Sequence, residues 1–408
     1  MAACCPSPSE PTTRAGALVR TPRGRLPSRS VTPPPPSLPD RLEGTHANLD
    51  GIEPLHLQRS GGGRVYFVSD IHLGDGTHAD VFLEKDADFL AFLDEVEQNA
   101  EALIIVGDAL DFEQAWYFSR IVKAHPEVVS RLTKLAQSMR VVYVYGNHDP
   151  DVVLFRDILH WELCSRVIVD GHILAVHGWE FDTYVGRNFE QSHFLTRMMN
   201  LYERAFRTWI RLPLSQYYTR SNRFVHWLFS WLARGNAVLR KAGARWGRPE
   251  LGRGLQEWIA FWTRAELGDP MGISGPAMEA VRNHPELDLI ICGHSHVPGN
   301  VPLAGDNTFV NLGSWSFGNS QYGWWDGEEF RLRDWITGRS IGAENYRPIL
   351  EGWADRTYLE WFEDEYLGYF KFRCGEEALR KGVRPRPWAL ERLEHDRLRT
   401  TGEHPAPR

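Results

Sequence analysis

Five short apolar runs in this chain each stop at a cluster of carboxylate, amide or imidazole side chains, and few folds accommodate that pattern. Val65-Tyr66-Phe67-Val68 runs into Ser69-Asp70-Ile71-His72, and Leu103-Ile104-Ile105-Val106 into Gly107-Asp108. Val141-Val142-Tyr143-Val144-Tyr145 runs into Gly146-Asn147-His148-Asp149. His172-Ile173-Leu174-Ala175-Val176 ends in His177-Gly178, and Leu287–Cys292 in Gly293-His294-Ser295-His296. β-Branched and aromatic residues at this density predict buried strands. Polar residues at strand ends fit the carboxyl edge of an open α/β sheet, where ligands gather. Each end taken alone has an ordinary reading. Gly146–Asp149 could be an Asx-rich turn, Asp108 a helix cap, and His177 a hydrogen-bonded core histidine. Five such ends in one chain are not explained by five unrelated coincidences.

Between these runs lie helical patterns. Phe82, Phe89, Leu90, Phe92, Leu93 and Val96 recur at helical spacing and predict one amphipathic helix within 81–100. A second helix is expected over Ser119–Ser138. Strand, helix, strand, helix, strand is the order of a layered α/β sheet. Asp170-Gly171 between two apolar runs predicts a hairpin. Thr308–Leu312 reads as a strand and Trp324–Leu332 as a further hairpin, and 351–381 reads as helical.

The flanks differ in composition. Residues 1–63 are rich in Pro, Ser, Thr, Arg and Gly, include Pro33-Pro34-Pro35-Pro36 and close on Gly61-Gly62-Gly63. That composition buries too little apolar surface to order itself, so a tail is expected over 1–63 and order from Val65 onward. A main domain is expected over 64–350, and a helical extension and charged tail over 351–408. With 42% hydrophobic residues in 408, the chain can bury a large core. Five scattered cysteines imply no disulfide framework and no CxxC zinc spacing occurs, so a reducing compartment is expected. There is no secretory signal pattern and no apolar run of about 18 residues, so a cytoplasmic protein is expected.

The strand ends together supply Asp70, His72, Asp108, Asn147, His177, His294 and His296. Carboxylate, imidazole and amide oxygen suit Mn, Fe, Zn or Mg. Seven such residues suffice for two cations if one carboxylate is shared, and a two-metal site clamps a phosphoryl oxygen and activates water. The blocks Asp70-Ile71-His72, Gly107-Asp108, Gly146-Asn147-His148-Asp149, His177-Gly178 and Gly293-His294-Ser295-His296 resemble, intact and in order, the motifs of the calcineurin-like metallophosphoesterase family. The resemblance covers about 65–180 and 285–316. It implies a four-layer α/β/β/α sandwich and a phosphoester or phosphoanhydride hydrolase with two divalent cations, Mn foremost. It implies that Asp70, His72 and His296 hold one cation, that Asn147, His177 and His294 hold the other, and that Asp108 bridges them. It makes His148 the general acid or electrostatic stabiliser, with Asp149 orienting its ring. The ability of histidine to donate a proton near neutrality agrees with that role.

Within the family the chain looks similar to UDP-diacylglucosamine hydrolases, which cleave a pyrophosphate. The likeness lies in Asp70–Gly74, in Gly107–Phe112 with Ala115-Trp116, and in Val297-Pro298. Those enzymes usually carry Arg where this chain has His148. A nucleotide-linked substrate, a different lipid-linked substrate, a general soluble phosphatase or phosphodiesterase, and a non-catalytic scaffold of the same fold therefore stay open. A scaffold typically loses ligands, and none is missing here.

A hundred residues separate the fourth and fifth blocks, and their chemistry is distinct. From Val185 to Gly254 there are 13 Arg or Lys and 3 Glu, a local net charge of +10 in a chain of net charge −7. Phe194, Tyr202, Phe206, Trp209, Trp227, Phe229 and Trp231 are mixed among them. Amphipathic helices are expected over Asn200–Arg211 and Asn222–Arg234, within a helical insert at about 185–270. Basic and aromatic faces on one helix are the composition of an interfacial helix. The expected partners are a phosphorylated small molecule or lipid and an anionic membrane surface, at the inner face of the membrane. A helical cap packed on the core, with merely solvated arginines, is the plain alternative. The same mixing suits single-stranded nucleic acid, but the overall negative charge argues against general nucleic-acid affinity.

Overall fold

The computed structural model describes residues 54–82, 85–182, 189–206, 220–266, 273–284, 286–303, 306–350 and 357–362. All of them belong to the unit Leu38–Arg408. The chain enters through β1 (Leu55–Leu57), β2 (Arg64–Val68), α1 (Asp86–Asn99), β3 (Ala100–Val106) and α2 (Phe112–Ala115). It continues through α3 (Phe118–Ala124), α4 (Pro126–Ser138), β4 (Arg140–Val144), α5 (Arg156–Leu159), β5 (Glu162–Cys164), β6 (Val167–Val169) and β7 (Ile173–Ala175). Three insert helices follow, α6 (Phe189–Phe206), α7 (Arg220–Arg245) and α8 (Arg253–Glu266), and then α9 (Ser274–Asn283). The chain closes with β8 (Leu289–Cys292), β9 (Gly299–Pro302), β10 (Thr308–Asn311), β11 (Gln321–Trp325), β12 (Phe330–Asp334), α10 (Arg347–Leu350) and α11 (Tyr358–Trp361).

Side-chain alternation along the strands builds the layers. The strands form two mixed sheets, ordered β12-β11-β2-β3-β4-β5 and β1-β6-β7-β8-β10-β9. Val65 and Phe67 of β2 pack in one cluster with Ile104, Val142, Val167, Ile173, Ile291 and Val310, which fills the space between the sheets. Tyr66 and Val68 point the other way and pack with Phe89, Phe92 and Leu93 of α1 and Leu132 and Leu135 of α4. On the outer face of the second sheet, Leu174, Ile290 and Phe309 pack with Ala277, Met278 and Val281 of α9. Strands buried on both faces explain the near-continuous apolar runs in the sequence. Each Phe or Leu buried in this way contributes roughly 1.5–3 kcal/mol. The architecture is the four-layer α/β/β/α sandwich.

Several local expectations need correction. Leu55–Leu57, assigned above to the tail, is a strand that pairs in parallel with β6, Leu55 opposite Val167 and Leu57 opposite Val169. Three residues carry too little periodicity to announce a strand, and the partner edge supplies the order. The single helix expected over 119–138 is two helices, broken at His125. Pro126 disfavours helical backbone in the residue before it, and His125 adopts φ −126°, ψ 55°. The break is useful, because the buried His125 ring then spans Asp86 Oδ1 at 2.8 Å and Asp80 Oδ2 at 2.9 Å.

The insert differs in detail from its expected helices. Helix α6 is described as far as Phe206, α7 runs on to Arg245, and α8 lies within the expected helical insert but was not named as a separate helix. Residues 207–219 lie outside the described residues. Phe229 and Ala233 of α7 bury against Ile259 of α8 and Tyr358 and Phe362. Phe229 is 2% exposed, whereas Trp227 and Trp231 are 54% and 57% exposed. The helical extension expected over 351–381 lies mostly outside the described residues. Its described part is α11, started by a capping box between Thr357 and Glu360. Among the described residues no helix is long and apolar enough to cross a membrane.

Candidate metal centre

Parallel register brings the polar strand ends level. Val68 lies opposite Ile105 and Ile105 opposite Tyr143, so the loops that carry Asp70, Asp108 and Asn147 leave the first sheet side by side. In the second sheet Ala175 lies opposite Ile291, which brings His177 beside the His294 loop. Main-chain hydrogen bonds tie these loops together. Asp70 N–H donates to the Gly107 carbonyl at 3.0 Å, His72 N–H to that of Asp108 at 2.9 Å, and Gly293 N–H to that of His177 at 2.7 Å.

The backbone here is strained. Asp70, His72, Asp108, His294 and His296 have φ of 52°, 53°, 53°, 63° and 57°. Left-handed non-glycine residues cost on the order of 1–3 kcal/mol each and cluster where function over-determines them. Two glycines make room for the side chains. Gly107, at φ 79°, has the His177 ring where a Cβ would lie, and Gly146 has the Asp108 carboxylate there.

Among the described residues three groupings could hold a cation: Asp70, His72 and His296; Asp108, His177 and His294; and, at the rim, His72, Asp111 and His148. In the first, His296 Nε2 lies 3.1 Å from Asp70 Oδ1 and 3.2 Å from His72 Nε2. In the second, which joins Asp108, His177 and His294, His177 Nε2 lies 3.2 Å from Asp108 Oδ2. Asp108 Oδ2 is also 4.0 Å from His72 Nε2, so this carboxylate faces both of these groupings. Asp70 Oδ1, Asn147 Oδ1 and His177 Nε2 are buried without a hydrogen bond. Orphaned buried polar atoms are expensive unless a ligand satisfies them. The residue types and these open atoms fit divalent cations.

The field of the cluster is negative. Burial pushes the His177 imidazole down, yet Asp108 and Asp70 hold its pKa at about 10. Burial likewise lowers His72, and the neighbouring carboxylates of Asp111 and Asp70 hold it at about 9. Burial would raise the Asp70 carboxyl, but His296 and His177 keep it well below the usual carboxylate range.

His148 stands at the rim, with its side chain 21% exposed. Its Nδ1 faces Asp111 Oδ1 at 3.3 Å and Glu113 Oε2 at 3.9 Å. Its ring stands edge-on to His72, with centroids 4.9 Å apart. Burial lowers this imidazole, and Asp111, Asp108 and Glu113 raise it to about 10. Asp149, expected to orient His148, is placed otherwise. It accepts Gly146 N–H at 2.7 Å, Ala109 N–H at 3.0 Å and the Tyr143 hydroxyl. Burial pushes its carboxyl up to about 7. Asp149 thus braces the turn, and the carboxylate against the His148 ring is Asp111.

Two residues escaped the sequence reading. Asp111 accepts from His72 Nδ1 with one oxygen at 3.2 Å and faces His148 with the other. It also caps α2 by accepting Gln114 N–H at 2.8 Å. Its place three residues after Asp108 was the available signal. Asp182, five residues after His177, lies 3.0 Å from His294 Nε2, and no periodicity in the sequence marked it.

Fold and site together define a metallophosphoesterase, a hydrolase of phosphoester bonds. The chain belongs to the calcineurin-like phosphoesterase family, whose sequence model matches residues 63–298. It is similar to the UDP-2,3-diacylglucosamine hydrolase of Porphyromonas gingivalis, 28% identical over 275 residues, which is 65% of this chain and 94% of that enzyme. Among solved structures, a dimetal phosphatase from Danio rerio is 12% identical, covers 67% of this chain and 96% of its own, and has a TM-score of 0.30. A cold-active protein-tyrosine phosphatase from a Shewanella species is 12% identical, covers 71% and 82%, and has a TM-score of 0.32. The family assignment rests on the sequence match and the strand-end motifs, not on these structural scores.

Proposed function

We propose that this chain is a two-cation hydrolase acting on a lipid-linked or nucleotide-linked phosphoester or pyrophosphate. Asp70, His72 and His296 hold one divalent cation, Asn147, His177 and His294 hold the other, and Asp108 is shared. The single observation that carries this reading is the set of buried, unbonded atoms, Asp70 Oδ1, Asn147 Oδ1 and His177 Nε2, beside a carboxylate that faces both groupings. Such cations, with Mn favoured, supply Lewis acidity toward a phosphoryl oxygen and lower the pKa of water. His148 gives a proton to the leaving oxygen, and Asp111 and Glu113 behind its Nδ1 hold the ring and favour the charged form.

The lipid-linked reading draws on the insert and on the hydrolase from Porphyromonas gingivalis. Arg204 of α6 donates to Asp75 Oδ2 at 2.7 Å and to the Gln114 carbonyl, and its guanidinium lies over Trp116. That tie joins the insert to the loop that follows His72, as a lid requires. Phe194, Phe206, Phe224, Trp227 and Trp231 are exposed on α6 and α7. Together with the basic charge they suit an acyl-bearing substrate and an anionic membrane surface at its cytoplasmic face. A soluble phosphatase is the second reading, favoured by His148, a proton donor suited to poor leaving groups.

The test is a substrate panel with Mn-loaded protein: a lipid-linked pyrophosphate, nucleotide diesters and an aryl phosphate monoester. Turnover of the lipid-linked substrate well above the others supports the first reading. Preference for the soluble esters installs the second. No hydrolysis of any, with metal bound, would leave a scaffold.

A further inference from the structure

The four imidazoles of the cluster are held from behind in two ways. His72 and His177 turn Nδ1 outward, to Asp111 Oδ2 at 3.2 Å and to the Val106 carbonyl at 2.8 Å. His296 does the same toward Ser316 Oγ at 3.3 Å. His294 is reversed, because its Nε2 faces Asp182 Oδ2 at 3.0 Å. A neutral imidazole carries one N–H and one lone pair. With the N–H at Nε2 donated to Asp182, the lone pair of His294 is at Nδ1, while His72, His177 and His296 present Nε2.

Asp182 is fully buried and follows the tight turn Trp179–Phe181, where its own N–H donates to the Trp179 carbonyl at 3.1 Å. The grouping that could hold a cation on this side is Asp108, His177 and His294, and Asp182 stands behind His294, outside it. The main chain of His294 is fixed separately, by donation of its N–H to Asp70 Oδ2 at 2.9 Å. One carboxylate therefore sets where the residue sits and another sets how its ring is turned.

We propose that Asp182 is the positioning residue for His294, fixing the Nδ1-ligating tautomer and placing a carboxylate behind the ring. This rests on the two-cation reading above and deepens it. Each cation position then has its own outer support: Asp111 behind His72 and the Ser316 hydroxyl behind His296 at one, the Val106 carbonyl behind His177 and Asp182 behind His294 at the other. Loss of such a partner costs about 10–100-fold in metal affinity. Asp182 accordingly governs one position and leaves the other alone.

The experiment strips the full-length chain of metal and titrates it with Mn2+ by calorimetry, alongside Asp182→Asn and Ser316→Ala. Wild type is expected to take two Mn2+ per chain. Asp182→Asn should weaken one of the two steps by about 10–100-fold and change the other by less than about threefold. Ser316→Ala should weaken the opposite step. Co2+ bound at the weakened position should show an altered visible spectrum. Should Asp182→Asn fold poorly, Asp182→Ser, which keeps an oxygen acceptor without charge, gives the same reading. Equal weakening of both steps with a lowered Tm would make Asp182 a support of the fold and overturn the proposal, as would unchanged titration. A wild-type chain that binds fewer than two Mn2+ overturns the two-cation reading itself, and that result is visible before any variant is made.

Discussion

Asp108 accepts the main-chain N–H of His148 at 2.8 Å through Oδ1, while its Oδ2 lies 3.2 Å from His177 Nε2. One carboxylate thus braces the loop of the proposed acid and also faces the cation groupings. Asp108→Asn keeps an oxygen for the His148 N–H but loses the charge, so it is expected to fold and to lose one or both Mn2+ along with activity. Asp108→Ala loses the brace as well and should show a lower Tm than Asp108→Asn. Elemental analysis that finds two metals retained per chain in either variant would sink the bridging assignment.

His148 is expected to act in the chemical step. His148→Ala should lower kcat by about 10²-fold or more, with metal content unchanged, and esters with poor leaving groups should suffer most. Asp111→Asn should reproduce part of this loss and also weaken metal binding, because Asp111 backs His72 as well as His148. A uniform loss across leaving groups in His148→Ala, with less metal bound, would show that His148 supports the cations.

His125 gives a pH signature away from the metal centre. Burial lowers its pKa, but Asp80 and Asp86 raise it to about 9, against about 6.5 unfolded. The folded pKa is the higher, so the protonated ring stabilises the fold fully below about pH 6.5. That contribution fades as pH rises through about 9 and amounts to at most about 3 kcal/mol. The Tm difference between wild type and His125→Gln should therefore be largest near pH 6 and shrink by pH 10. A difference that stays constant with pH would mean the ring contributes packing alone.

The aromatics of the insert divide by burial. Phe229→Ala should cost about 3–5 kcal/mol locally, read as loss of protection in α7 and α8, because Phe229 fills the small core of the insert. Trp227→Ala with Trp231→Ala should leave Tm nearly unchanged but reduce co-sedimentation with anionic vesicles and turnover of a lipid-linked ester, sparing a small aryl phosphate. An equal fall for both substrates would make the exposed aromatics part of the packing. Stronger competition by single-stranded nucleic acid than by vesicles would reassign the surface.

The sequence alone carried a layered α/β fold and the cluster, because both are encoded in short contiguous signals. A strand buried on both faces reads as an apolar run, and a ligand placed at its end is fixed within one or two residues of it, as Val68 is to Asp70 and Val106 to Asp108. The family resemblance added the four-layer sandwich and the roles of the residues. What stayed hidden depends on contacts between segments far apart in sequence. Leu55–Leu57 becomes a strand only because the edge of β6 accepts it. Asp182 matters only because the second sheet brings it against His294, 112 residues further on. Asp111 rather than Asp149 faces His148, since Asp149, although adjacent in sequence, spends its oxygens on Gly146, Ala109 and Tyr143. Helical periodicity marked the aromatics of α7 as a group, but only the packing of α8 and α11 separated buried Phe229 from exposed Trp227 and Trp231. Local pattern determines which groups a strand end presents, whereas the direction of a ring or carboxylate depends on partners that only the closed fold brings within hydrogen-bond reach.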